Sequence, residues 1–304
     1  SKLTGYDVGA LLYCPANAHG SIVGAIVEQR FPTPYSLAFC LEDTVREDAV
    51  ADAERMLRGT LSRIASAAEG GSFFLLRLAE EYAPFSSILR GFILPKFFLE
   101  NCGAYLAAIR SIGRTEEYFY MPVFESAAMI PPQTRREALT EVRAQLDTVS
   151  GSILNIRVGG NDLSHAFGLR RPANRTIYDL RPVADILIDI VAAFGTQYVV
   201  SGPVWEYYSG EGWEEGLRRE MELDLLNGFT GKTVIHPNQI PVVNEMLRVS
   251  QQDYADARAI LNWDTGSGSL VSASEDGGRM NEYNTHSRWA RRIVLRAERY
   301  GVRA

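Results

Sequence analysis

Tyr118-Phe119-Tyr120-Met121 is an apolar run of strand length. Leu139, Val142, Leu146 and Val149 follow at three- and four-residue spacing, and Ile153-Leu154-Asn155-Ile156 closes the stretch with another short apolar run. A run with little polar alternation reads as a parallel strand covered on both faces, and the spaced quartet as one buried stripe of a helix. The stretch is therefore strand, helix, strand. Working outward, the same alternation recurs. Ala10-Leu11-Leu12-Tyr13-Cys14, Leu37-Ala38-Phe39-Cys40-Leu41, Phe73-Phe74-Leu75-Leu76 and Gly91-Phe92-Ile93-Leu94 precede it, and Tyr198-Val199-Val200 and Thr233-Val234-Ile235 follow. Val183, Ile186, Leu187, Ile190, Val191 and Phe194 mark a second clear helix stripe. Eight such units over about 250 residues predict an α/β fold, a (β/α)8 barrel, rather than an open doubly wound sheet. Residues 1–262 are expected to form the barrel and residues 263–304 a loop-and-helix extension. That extension has Gly/Ser-rich segments at Thr265–Ser269 and Ser274–Gly278, and a basic amphipathic helix over Arg288–Arg296.

The 304 residues are 46% hydrophobic and 22% charged, enough apolar material for a large core and no case for disorder. Lys plus Arg number 31 against 37 Asp plus Glu, a net charge of −6. That sign argues against nucleic acid or an anionic membrane surface as a partner. Cys14, Cys40 and Cys102 have no CxxC spacing and read as reduced, buried thiols. No stretch suits a membrane helix and the first residues lack the pattern of a signal peptide, so a cytoplasmic protein is expected. Gly159-Gly160 does not open a GxGxxG fingerprint, which leaves a dinucleotide site without support.

Barrels of this kind place chemistry at the C-terminal ends of their strands. Polar residues there are Glu42 and Asp43 after the second run, Arg77 after the third, Pro95-Lys96 after the fourth, Glu125 after the fifth, Asn161-Asp162 after the sixth and His236-Pro237 after the eighth. Glu125 and Asp162, on adjacent strand ends, could hold one hard dication with waters and substrate oxygens completing its shell. Capping or ion pairing is the plainer alternative, and spacing alone favours it. Arg77 suits stabilisation of an enolate or carboxylate oxygen, or equally a structural pairing with Glu42 or Asp43. His236 reads as a hydrogen-bonded wall residue, and His165, three residues after Asp162 on a short helix, is a second metal ligand only if the turn of that helix brings the two together.

The sequence resembles the citrate lyase beta-subunit-like enzymes of the HpcH/HpaI aldolase superfamily from about Ala10 to Arg296. The matching segments are Leu11-Leu12-Tyr13-Cys14-Pro15-Ala16-Asn17, Leu41-Glu42-Asp43-Thr44-Val45, Pro95-Lys96, Glu125-Ser126, Gly160-Asn161-Asp162-Leu163 and Gly228 to Ile240, the last being the most specific. The resemblance implies a Mg2+-dependent carbon–carbon lyase on a TIM barrel, with Mn2+ as a substitute metal. Such an enzyme cleaves a β-hydroxy acyl compound or acyl-CoA to an enolate and a 2-oxo acid. It implies Glu125 and Asp162 as metal ligands and Arg77 as the oxyanion-stabilising arginine. Asp43, Glu42 and Glu282 remain unranked candidates for the base.

The chain also departs from the family. Gly9 and Cys40 stand where it has Arg and Asp, Arg77-Leu78-Ala79 replaces Arg-x-Asn, and Ser201-Gly202-Pro203 replaces Asp-Gly-Pro. Gly278-Arg279-Met280-Asn281-Glu282 replaces Gly-x-Met-x-Asp. These changes describe a divergent branch, similar to lyase-like proteins of bacterial stress-resistance gene clusters, in which use of a CoA thioester is open. The rival readings are another metal-dependent barrel enzyme acting on a 2-oxo acid or phosphoenol, and a non-catalytic binding protein on the same fold. A homo-oligomer is expected, with the tail from Gly277 covering a neighbour's barrel mouth and bringing Glu282 to it.

Overall fold

The computed structural model describes residues 3–15, 34–40, 64–66, 79, 89–114, 117–262, 271–274 and 277–304. Its strands are β1 (Ala10–Pro15), β2 (Ser36–Cys40), β3 (Ile64–Ser66), β4 (Gly91–Leu94), β5 (Phe119–Phe124), β6 (Ile156–Val158), β7 (Val200–Gly202) and β8 (Phe229–Val234). They pair in chain order, all parallel, and β8 closes on β1 through Leu11 opposite Thr233. The barrel expected from the alternation of strand and helix is thus observed. Strand β3 lies upstream of the run Phe73–Leu76, which the sequence reading made the third strand and which falls outside the described residues. Ile64-Ala65-Ser66 carries one large apolar residue, so counting apolar runs passes over it. Its backbone pairing with β2 and β4 defines it.

The helices follow the same logic. Helix α1 is Leu99–Ile112 and α2 is Pro132–Asp147, which buries Leu139, Val142 and Leu146 of the predicted stripe. Helix α3 is the short Gly160–Ala166, and α4 (Arg181–Phe194) buries Val183, Ile186, Leu187, Ile190 and Phe194. Both α2 and α4 have proline in the first turn, where the missing N–H costs nothing. Each fully buried Leu or Ile of these stripes stabilises the fold by roughly 1.5–3 kcal/mol relative to exposure. Helices α5 (Trp213–Leu226) and α6 (Gln239–Leu247) flank β8 in sequence.

The barrel interior is apolar along one arc and polar along the other. Leu11, Ala38, Ile93, Met121, Val123 and Leu154 form a single cluster drawn from strands that are not all neighbours, which only an interior row can do. Register then carries the row onward: Val123 pairs with Arg157 and Arg157 with Ser201, so these two side chains face the same interior. The hydrogen bond from Arg157 Nη2 to Thr233 Oγ1, 2.7 Å long, passes from β6 to β8 inside the barrel.

Outside the barrel, between β8 and α5, lies a buried charge network. Lys232 Nζ is 2.6 Å from Glu220 Oε2 and 2.7 Å from Asp224 Oδ2, and all three side chains are buried. Arg171 pairs with Glu220 at 2.7 Å and lies over the Trp205 ring. Mutual pairing is what makes burying these charges tolerable.

The chain divides into two compact units, Ser1–Val243 and Asn244–Ala304. The second contains β9 (Val249–Ser250), α7 (Gln251–Leu261), β10 (Val271–Ala273), β11 (Met280–Glu282), α8 (Tyr283–Tyr300) and β12 (Val302–Arg303). The composition shift near residue 263 falls inside this unit, because α7 shares a core with α8: Ala257 and Ile260 pack with Ala290, Ile293 and Ala297. Cys14 and Cys102 are free and buried, and burial pushes the Cys14 thiol up to about 11. Among the described residues no helix is long and apolar enough to cross a membrane.

Candidate functional site

Glu125 is the first residue beyond β5, two positions after Val123, and so stands on the interior row at the C-terminal rim. Three local features hold its carboxylate. The Lys96 backbone N–H, at the end of β4, donates to Glu125 Oε1 at 2.9 Å. Lys96 reaches that position with φ of 51°, the one non-glycine residue in the left-handed region among those described. Such a conformation costs about 1–3 kcal/mol and persists where surrounding contacts enforce it. Asn101 supplies the enforcement: its Nδ2 donates to the Lys96 carbonyl at 2.8 Å, and its Oδ1 accepts from the Phe98 N–H at 3.0 Å.

The third feature is Gly159, two positions past Arg157 on β6 and level with Glu125. A Cβ at Gly159 would lie 2.3 Å from Glu125 Oε2 and 2.4 Å from Glu125 Cβ. Only glycine leaves room for the carboxylate there. The neighbouring strand ends are tied by Phe97 N–H to the Val123 carbonyl at 3.0 Å and Gly159 N–H to the Phe124 carbonyl at 3.1 Å. Ser126, next in sequence, accepts from Ala128 N–H and donates to Glu100 Oε1 at 3.2 Å, fixing the turn that leaves the rim.

Asp162 lies in the first turn of α3, three residues past Gly159, and is exposed. Glu125 and Asp162 therefore leave adjacent strand ends with oxygen donors only. No group of three or more His, Cys, Asp or Glu side chains able to hold a metal occurs among the described residues. A pair of carboxylates whose remaining positions go to waters and substrate oxygens is the donor set that Mg2+ accepts. His165, exposed in the last turn of α3, joins no such cluster.

His236 is the wall residue the sequence suggested. Its Nδ1 accepts from Asn238 N–H at 3.1 Å, its ring stacks on Tyr208 with centroids 4.5 Å apart, and burial lowers its pKa. The surrounding motif serves architecture. Gln239 Oε1 accepts from the Ile235 N–H at 2.8 Å and the His236 N–H at 3.2 Å, while its Nε2 donates to the carbonyls of Trp205 and Tyr207, each at 2.8 Å. Lys232 belongs to the buried network outside the barrel.

Arg77, Glu42 and Asp43 lie outside the described residues. Glu282 lies in the C-terminal unit, where its N–H donates to His286 Nδ1 at 2.8 Å at the start of α8. Sequence reasoning passed over the Lys96 backbone, Gly159 and Arg157. The sequence pattern offers Gly159-Gly160 only as the end of the sixth strand and as a failed dinucleotide fingerprint, and Arg157 lies one residue beyond the apolar run Ile153–Ile156.

Eight parallel strands with a carboxylate clamped at the C-terminal rim define a TIM-barrel enzyme architecture. The chain belongs to the carbon–carbon bond lyase family of the TIM-barrel fold, whose sequence pattern matches residues 2–302. By that membership it is a carbon–carbon lyase. Among solved structures, it is similar to the CitE protein of Mycobacterium tuberculosis in complex with magnesium, acetoacetate and coenzyme A. The TM-score is 0.67 and the identity 21%, over 97% of this chain and 99% of that one. The citrate lyase beta subunit from M. tuberculosis complexed with oxaloacetate and magnesium gives a TM-score of 0.55 at 21% identity, over 80% of this chain and 97% of that one. RipC from Yersinia pestis gives 0.57 at 16% identity, over 80% and 95%. No curated protein matches the chain.

Proposed function

We propose that this protein is a Mg2+-dependent lyase that cleaves a small β-hydroxy carboxylic acid, free or as an acyl thioester, to an enolate and a 2-oxo acid. The observation that carries the reading is the Glu125 carboxylate at the rim, fixed by the strained Lys96 N–H and accommodated by Gly159. Glu125 and Asp162 would hold the metal. When bound, Mg2+ supplies a template and a Lewis acid for adjacent oxygens of the substrate. Mn2+ would serve in its place. The solved relatives described with magnesium and oxaloacetate or acetoacetate support this assignment of metal and substrate class.

The protein's own groups have distinct tasks. Arg77 stabilises the negative charge that develops as the carbon–carbon bond breaks. One carboxylate of Asp43, Glu42 or Glu282 removes the β-hydroxyl proton, Glu282 being supplied by a neighbouring subunit's tail in a homo-oligomer. Gly9 in place of the family's arginine leaves coenzyme A weakly held, which makes the free acid the better substrate. Buried, unpaired thiols suit a cytoplasmic enzyme.

The test is a screen of 2-oxo acid release from short hydroxy acids and their CoA thioesters with Mg2+, run beside Glu125→Ala. Metal-dependent release that the variant loses supports the reading. Equal release by the variant, or none from any substrate despite tight metal binding, would overturn it.

A further inference from the structure

The polar arc of the barrel interior contains a charge that no described residue compensates. Arg157 is 1% exposed, points inward from β6, and makes one hydrogen bond, from Nη2 to Thr233 Oγ1. Its Nη1 is buried without a partner, and among the described residues no carboxylate pairs with it. Asn155, on the same interior row one layer deeper, donates to Ser201 Oγ at 2.6 Å and leaves its own Oδ1 unpartnered. Other buried cations of this protein are treated differently: Arg135 pairs with Asp189, Arg171 with Glu220, and Lys232 with Glu220 and Asp224.

A buried water between Arg157 Nη1 and Asn155 Oδ1 would satisfy two hydrogen bonds but leave the positive charge uncompensated. Burial lowers the Arg157 pKa to about 10, which still leaves the guanidinium charged at neutral pH. A charged, planar, bidentate donor without an anion is arranged to receive one, and carboxylate matches its geometry. Its position fits the site. Arg157 is level with Val123, so Glu125 stands two residues further along the row, about 7 Å at the usual strand rise.

We propose that Arg157 binds a carboxylate of the substrate at the inner wall of the site, one interior layer below Glu125. The site then takes a short organic acid with one carboxylate at the rim and another directed into the barrel, and Arg157 selects for the second. The assignment rests on the lyase reading for the identity of the ligand, and on Arg157's missing counter-charge for its place.

Calorimetric titration of malonate and of oxaloacetate, with and without Mg2+, tests it on the full chain and on Arg157→Met, Arg157→Lys and Thr233→Val. The expected result is that Arg157→Met melts no lower than the parent and keeps its Mg2+ affinity, yet binds both acids about thirty-fold more weakly or worse. The lysine variant should fall between, and Thr233→Val, which frees Nη2, should lose several-fold. Malonate affinity within threefold of the parent in Arg157→Met overturns the proposal, as does a parent protein that binds neither acid. If the methionine variant does not fold, unchanged affinity in Thr233→Val overturns it instead. Arg157-dependent binding without carbon–carbon cleavage would sink the lyase reading and leave this site standing. Cleavage with an unchanged KM in Arg157→Met would do the reverse.

Discussion

Gly159→Ala should disable the site without unfolding the barrel. Gly159 has φ of −100° and ψ of 81°, outside the left-handed region, so alanine brings no backbone strain and the whole effect is the new Cβ. That atom would lie 2.3 Å from Glu125 Oε2. Non-bonded heavy atoms settle at roughly 3.5 Å, so the carboxylate must retreat by about 1 Å. A retreat of that size breaks the 2.9 Å bond from Lys96 N–H, because a separation near ~4 Å is no longer a hydrogen bond. Displacing a ligand's support costs about 10- to 100-fold in metal affinity. A misplacement of about 1 Å can cost on the order of 100-fold in turnover. Overpacking costs about 1–3 kcal/mol of stability, a modest fall in melting temperature for a chain of this size. Calorimetry with Mg2+, steady-state cleavage and thermal melting by circular dichroism read the three effects separately. Gly151→Ala, where nothing lies within 4 Å of the added carbon, is the matched control and should change none of them. Mg2+ affinity within twofold of the parent, in a Gly159→Ala protein that melts normally, would refute the placement of Glu125 in the site.

Other consequences can be checked alongside. Glu125→Ala with Asp162→Ala should abolish the thermal stabilisation given by Mg2+; undiminished stabilisation would remove both residues from the metal site. Coenzyme A should bind no tighter than millimolar, and micromolar affinity by calorimetry would contradict the reading of Gly9. Removing residues 248–304 should lower the oligomeric mass seen by light scattering, and an unchanged mass would exclude tail-mediated assembly. That cut is preferable to one after Ser274, which would leave Ala257 and Ile260 of α7 without the α8 residues they pack against. Burial raises the Asp224 carboxyl to about 6 against the opposing pull of Lys232. The folded protein thus holds this proton more tightly than the unfolded chain, so Asp224's contribution to stability is greatest at low pH and falls as pH rises through 6. The stability of the parent relative to Asp224→Asn, which binds no proton there, should therefore rise as pH drops from 7 to 4; a constant or falling difference would refute that sign.

The barrel was legible because its strands and helices bury continuous apolar patterns. The stripes on α2 and α4 and the runs at β1, β4 and β5 needed no tertiary information. Strand β6 shows where that method stops. Its apolar run ends at Ile156, but the strand continues through Arg157, a charged residue facing the interior, which a hydrophobic pattern places outside. Strand β3 was missed for the opposite reason, since Ile64-Ala65-Ser66 is held by backbone pairing and carries little apolar signal. At the site, Glu125 and Asp162 were visible as carboxylates on adjacent strand ends. The left-handed Lys96 and the carboxylate-sized gap at Gly159 depend on angles and distances that residue identity does not encode.

The segment from Gly228 to Ile240, the most specific of the resemblances, largely holds the fold, and Thr233 is the residue in it that reaches Arg157 in the barrel interior. Lys232 anchors the buried network behind the barrel, Gln239 ties two loop carbonyls to two backbone N–H groups, and His236 stacks against Tyr208. Each of these roles is independent of the substrate, so the motif can persist across enzymes that act on different acids. In the proposed function, the groups that discriminate among acids stand elsewhere, on the interior row of β5 and β6. There Glu125 and Gly159 share the rim, and one layer below Arg157 supplies a charge that no described carboxylate pairs with. In the proposed function, the changes at Gly9, Cys40 and Ala79 around the rim carboxylate Glu125 belong to a barrel that keeps the family's reaction and alters what it recognises. Arg157 is the residue at which that alteration can be measured.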